Sequence, residues 1–207
     1  MTEVSRSKRG RRTMRDIRVF VPPGEILKLI LQGDPWPYRR DPESYLCRDQ
    51  ALISFIYMMG CRINEALKVF KTQFDWEETP GHITVKDFRI SKRTERILRR
   101  EGIPRIDLGL PLDGLFSPFT DLILKWYDLS PGPKLFPNLG TRRAWEIVDH
   151  HTGKWPHYFR SQRISWMVNK VRSPLIVAEI LGVKSPQTLA HYYKTSWKEH
   201  IEDLKGE

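Results

Sequence analysis

Cysteine is scarce in this chain: only Cys47 and Cys61 occur among 207 residues. Two thiols cannot build a disulfide scaffold. Both stand in apolar stretches with helical spacing, so buried free thiols and an intracellular setting are expected. Long apolar runs are missing too. None approaches the roughly 18 residues of a membrane span, and the basic N-terminus lacks the apolar core of a signal peptide. There is no internal repeat and no low-complexity tract. Acidic residues are in deficit, 25 Asp and Glu against 35 Lys and Arg, for a net charge of +10. What remains is a soluble chain, 40% apolar and able to build a core in one or two domains. Its charge calls for a polyanionic partner, and nucleic acid leads that class. The excess is rich in arginine, which suits forked phosphate contacts. No RNA-binding signature is recognisable.

Residues 1–19 carry SRSKRGRR, Arg15 and Arg18 with almost no apolar content. They read as a basic, flexible tail, either solubilising or an arm that tracks a phosphate backbone. From residue 20 onward the pattern is that of a folded domain. PPGEILKLI opens a helix with prolines and an acidic first turn, and QGDPWPYRRDPES is a turn-rich stretch whose prolines forbid regular structure. Tyr45 to Met59 reads as a long apolar helix ending at Gly60. A helix resumes from Arg62 to Phe70, with Ile63, Ala66, Leu67 and Phe70 on one side. Between Gln73 and Leu112 lies a β-region, in which HITVKDFRI and IPRIDLGLP alternate as strands do. The intervening SKRTERILRREG is an extended basic loop or a short helix. Further helices are expected near Ser117–Tyr127, Thr141–His150, His157–Val171 and Pro174–Leu181, with a last one over about 195–205. The class is mainly α with a small antiparallel β-sheet (α+β).

Four residues from separate segments compose a chemistry. Arg62 follows a glycine and precedes a glutamate by three; His157 and Arg160 share a helix face; Tyr192 stands ten residues after Gly182. Cleaving a phosphodiester without metal or nucleotide requires a nucleophile that keeps the bond energy in a covalent link, and a tyrosine serves if its proton is drawn off during attack. Arginine forks stabilise the negative charge that gathers on the non-bridging oxygens. A cationic acid must protonate the departing oxygen. Arg62 and Arg160 fit the clamp, Tyr192 the nucleophile, His157 a proton-managing or phosphate-positioning role, and a lysine the acid.

In order and spacing these motifs resemble the tyrosine recombinase (phage integrase) family, over about 185 residues from Pro22 onward. RDQALISFIYMMGCRINEALKV is similar to its first arginine box, Gly-x-Arg-x-x-Glu. KLFPNLGTRRAWEIV is similar to the stretch before the second box, PHYFR matches His-x-x-Arg, and LGVKSPQTLAHYY matches the closing Leu-Gly to Tyr box. The resemblance implies a tyrosine recombinase catalytic-domain-like fold over 20–207. It implies a site-specific recombinase or integrase of a mobile element or virus that cleaves and rejoins double-stranded DNA through a 3′-phosphotyrosyl intermediate. No metal or cofactor is implied. The partners implied are DNA and further copies of the chain, a dimer on a site and a tetramer in synapsis. Arg62, His157 and Arg160 would activate the phosphate, and Tyr192, with Tyr193 as competitor, would be the nucleophile. Lys92 would be the catalytic lysine, with Lys86 the runner-up.

The chain departs from the family pattern in three places. Ser161 stands where a second histidine is usual. Val183 replaces a hydrogen-bonding histidine or tryptophan, a loss of about 1–3 kcal/mol and a correspondingly slower enzyme unless Lys184 or His191 compensates. Where family members commonly carry a separate helical domain that completes a clamp around DNA, this sequence has the basic tail and a short lead-in, as expected of a minimal enzyme, of a catalytic fragment, or of a tail that substitutes for the other half of the clamp. Trp197, Ile201 and Leu204 fall on one face of the last helix, which packs on its own core or on a neighbouring protomer. A type IB topoisomerase-like relaxing enzyme and a catalytically weakened DNA-binding module are the alternative readings.

Overall fold

The computed structural model describes residues 20–38, 40–88, 106–171, 173–180 and 189. The basic tail, Lys92, the connector around Val183, Tyr192, Tyr193 and the expected last helix lie outside them.

Helix α1, Pro23–Leu31, begins with a proline in its first turn and buries Ile26 and Ile30. Gly33 follows, pressed against the helix Thr141–Thr152: a Cβ there would collide with the His151 carbonyl oxygen, so only glycine fits. The centre of the fold is α2, Pro42–Met59. It starts three residues before the apolar pattern suggests. Asp41 accepts a hydrogen bond from the Ser44 N–H at 3.3 Å, and Pro42 has the φ of a first helical residue. Its second half is buried all round, which is why its apolar residues show little helical periodicity. Gly60, at φ 54°, ends it.

Helix α3 covers only Ile63–Ala66 and does not run on to Phe70. Instead the chain straightens and pairs with a distant segment. The Leu135 N–H donates to the Val69 carbonyl at 2.9 Å and the Lys71 N–H to the Pro133 carbonyl at 2.8 Å. Phe70, on the expected apolar stripe, is exposed. Long-range backbone pairing outweighs the local periodicity here.

Three antiparallel strands form one sheet in the order β1-β2-β3: Phe74–Asp75, His82–Phe88 and Ile106–Pro111. The second and third fall within the two alternating runs, with Ile83 opposite Leu110 and Val85 opposite Leu108. The first, only two residues long, has too short a pattern to be read from the sequence. A bulge between Val85 and Phe88, with Asp87 at φ 51°, re-aims the end of β2.

Four α-helices follow among the described residues: α4, Ser117–Leu129; α5, Thr141–Thr152; α6, Pro156–Lys170; and α7, Pro174–Ile180. Helix α2 packs chiefly on α4 and α6. Phe55, Tyr57, Phe119, Phe136 and Phe159 are fully enclosed around it, and Phe55 meets Phe88 of the sheet at 6.0 Å between ring centres. A second, smaller cluster joins Ile164, Met167 and Val168 of α6 to Val177, Ala178 and Leu189. Cys47 and Cys61 are free and buried, as expected. No helix among the described residues is long and apolar enough to cross a membrane.

Candidate active site

The turn between α2 and α3 is built to hold an arginine. Gly60 ends one helix, the backbone of Arg62 is extended, and α3 starts immediately. Glu65, three residues on, reaches back to this start: one carboxylate oxygen accepts the Arg62 backbone N–H at 2.6 Å, the other its guanidinium at 3.0 Å. The two side chains differ sharply in exposure, 53% for Arg62 and 3% for Glu65. The carboxylate is an internal anchor, and the guanidinium opens to solvent.

Helix α6 delivers the second arginine to the same anchor. Arg160 donates to the Gly60 carbonyl oxygen, and its Nη1 lies 3.9 Å from Glu65. Its side chain is only 6% exposed. Two guanidinium groups from segments far apart in the chain therefore share one buried carboxylate. An arginine has five donors in a fixed fork, so one guanidinium can hold the Gly60 carbonyl and face Glu65 at once.

His157 lies one turn before Arg160 and reaches solvent. Desolvation by the protein on its inner side, then the charges of Arg160 and Arg62, hold its pKa below the ordinary imidazole value. This favours the neutral imidazole, able to accept a proton or donate one hydrogen bond. Arg163, a further turn along, is packed over Phe116 at 4.2 Å and Trp166 at 4.9 Å, and burial pushes its pKa down to about 10. Aromatic faces serve this guanidinium where oxygen acceptors do not, and they fix the seating of α6.

A small cavity lies behind Arg160, lined by Cys61, Glu65, Phe88, Leu108 and Ile180 among others. It joins the arginine turn, the sheet and the end of α7. Burial, and secondarily Glu65, raise the Cys61 thiol far above its ordinary pKa, so this cysteine is unreactive.

Of the residues singled out in the sequence, Arg62, His157 and Arg160 come together, while Lys92 and Tyr192 lie outside the described residues. Lys86, the other candidate lysine, is on β2 and held by Asp75 at 2.5 Å and Glu78 at 3.6 Å. Hydrogen bonding to Asp75 raises its pKa, which is the wrong direction for a proton donor working near neutral pH. Sequence reasoning saw Glu65 as a local partner of Arg62 and missed its contact with Arg160. The only signal was the glutamate of the Gly-x-Arg-x-x-Glu pattern.

No family model matches the chain, and no curated protein matches it in sequence. Solved structures do match. One is a crystal structure of the XerH site-specific recombinase bound to difH substrate in a pre-cleavage complex. It aligns with TM-score 0.57 and 20% identity over 90% of this chain and 53% of that one. Another, the post-cleavage complex of XerH with palindromic difH, aligns with TM-score 0.61 and 19% identity over 90% of this chain and 51% of that one. The chain spans about half the length of these recombinases. At this level of identity the likeness is one of fold, and the fold of this chain, mainly helical with one three-stranded antiparallel sheet, is that of tyrosine recombinase structures.

Proposed function

We propose that this protein is a site-specific DNA recombinase or integrase that breaks and rejoins strands through a tyrosine. The observation that carries the reading is the convergence of Arg62 and Arg160 on Glu65 with His157 beside them, in a recombinase fold. Two guanidinium groups meet at one internal carboxylate, and that of Arg62 brings its positive charge to a partly open surface. This suits the charge that develops on a phosphorane-like transition state. In the reaction, the Tyr192 oxygen attacks phosphorus as its proton leaves, the bond to the 5′ oxygen breaks, and that oxygen takes a proton from Lys92. The 3′-phosphotyrosyl link is later attacked by a 5′ hydroxyl, which restores the tyrosine. Arg62 offers its fork from the surface and Arg160 from behind, while neutral His157 positions the phosphate or accepts the tyrosine proton. The charge of +10 supports duplex DNA as the partner. Self-association on DNA and a mobile-element or viral origin belong to the same proposal.

Covalent trapping tests it. The protein is incubated without divalent metal with labelled, nicked duplexes from the DNA flanking its own gene, and denaturing gels follow. An adduct that Tyr192→Phe abolishes and Tyr193→Phe retains is the expected outcome. An adduct lost only in Tyr193→Phe moves the nucleophile by one residue. DNA binding with no adduct under any condition overturns the enzymatic reading.

A further inference from the structure

The surface beside Arg62 carries a second basic feature with a built support. Thr141, the first residue of α5, donates its hydroxyl to the Asn64 side chain on α3, two residues from Arg62. The first turn of α5 is thus attached to the arginine turn. It contains Arg142 and Arg143 and no acidic residue, a placement that works against the helix dipole. Arg142 is 93% exposed. The Arg143 guanidinium lies 3.8 Å from the ring centre of Trp36, and Trp36 meets the His150 ring edge-on at 5.0 Å. Trp36 is itself fixed, because two residues later Tyr38 donates to buried Asp49 at 2.7 Å. Among the described residues, the carboxylate that faces both arginines is Glu146, 3.1 Å from Arg142 and 3.8 Å from Arg143.

Taking the DNA-cleaving function as its basis, we propose that Arg143, braced by Trp36, contacts a backbone phosphate of the DNA flanking the cleavage centre, with Arg142 beside it. A sequence that sets two arginines where a helix prefers acids, shares one glutamate between them and stacks one on an indole has an ordered, cationic surface ready for an anion. The stacking limits the freedom Arg143 would lose on binding. Glu146 is the internal competitor that a phosphate displaces. The site reads backbone position and not base identity.

The test measures affinity of the full chain for a labelled linear duplex of mixed sequence across a range of salt. Arg143→Gln is expected to weaken binding several-fold and to lower the slope of log Kd against log salt by about 0.9, the value of one phosphate contact. Glu146→Gln is expected to tighten binding, which loss of a purely structural helix pair would not do. An Arg143→Gln protein with the wild-type slope, or a Glu146→Gln protein that binds more weakly, overturns this assignment alone. Wild-type protein that fails to bind duplex at any salt overturns it together with the function beneath it.

Discussion

Two clusters in this molecule start from the same parts, a buried carboxylate and an arginine beside it. Around Asp49 the account closes. Arg48 donates through Nε at 3.1 Å and Nη2 at 2.8 Å to one oxygen, and Tyr38 donates at 2.7 Å to the other. The rings of Tyr38 and Tyr45 lie 5.4 and 4.7 Å from the guanidinium carbon. One positive charge meets one negative charge under an aromatic cover. Around Glu65 the cluster reaches the surface: two arginines meet the carboxylate, and one of them is half in solvent. The difference separates structure from function. A covered pair fastens the proline-rich loop to α2; the half-open one presents a guanidinium to solvent, where the proposed function would seat a phosphate.

The comparison can be broken at either end. The largest effect is expected at the closed cluster. Burial already lifts the Asp49 carboxyl above its ordinary pKa despite Arg48, and Arg48→Met strands that group. Urea unfolding should report a loss of about 3–5 kcal/mol, with adduct formation per folded molecule unchanged. Arg62→Gln should do the reverse. Adduct formation should slow by about 10²- to 10³-fold, or about 2.7–4 kcal/mol in the barrier, with little change in the unfolding midpoint because Arg62 is half exposed and Arg160 still faces Glu65. Single-turnover trapping beside a thermal melt checks both.

The lysines sharpen the contrast next. Lys92→Gln should slow cleavage by about 10²-fold, while Lys86→Gln, which loses only exposed ion pairs on the sheet, should leave the trapping rate alone. The smallest effect concerns His157. Folding lowers its pKa, so near the ordinary imidazole value of about 6.5 the unfolded chain holds the proton more tightly. Its contribution to stability is full above that pH and declines as pH falls below it, levelling once the folded form is protonated as well. Urea titrations across that window should show the decline, and His157→Gln should flatten it.

Much of this arrangement was legible because it is local. The Arg62–Glu65 pair and the His157–Arg160 face are spacings of three on helices, and α5, α6 and the two longer strands follow from period and alternation. The rest depends on distant partners. Phe70 looks like the next apolar position of a helix until residues 133–135 take its backbone neighbours. Lys86 looks as available as Lys92 until Asp75 and Glu78 are placed beside it. Trp36 lies in a stretch that reads only as turn. Nothing in QGDPWPYRRDPES says that its indole will support an arginine on α5. Charge pairing across the fold, unlike periodicity, has no signature in one sequence.

The bond from Arg160 to the Gly60 carbonyl joins residues 100 positions apart. Closing so wide a loop is entropically demanding, and contacts of this kind form late in folding. During synthesis, Arg62 and Glu65 emerge well before the helix that completes their cluster. A chain interrupted before α6 holds the first arginine on its anchor without the second, so under the function proposed above it would lack half of the phosphate clamp. Under that proposal the molecule would stay disarmed until α6 has been made and has docked.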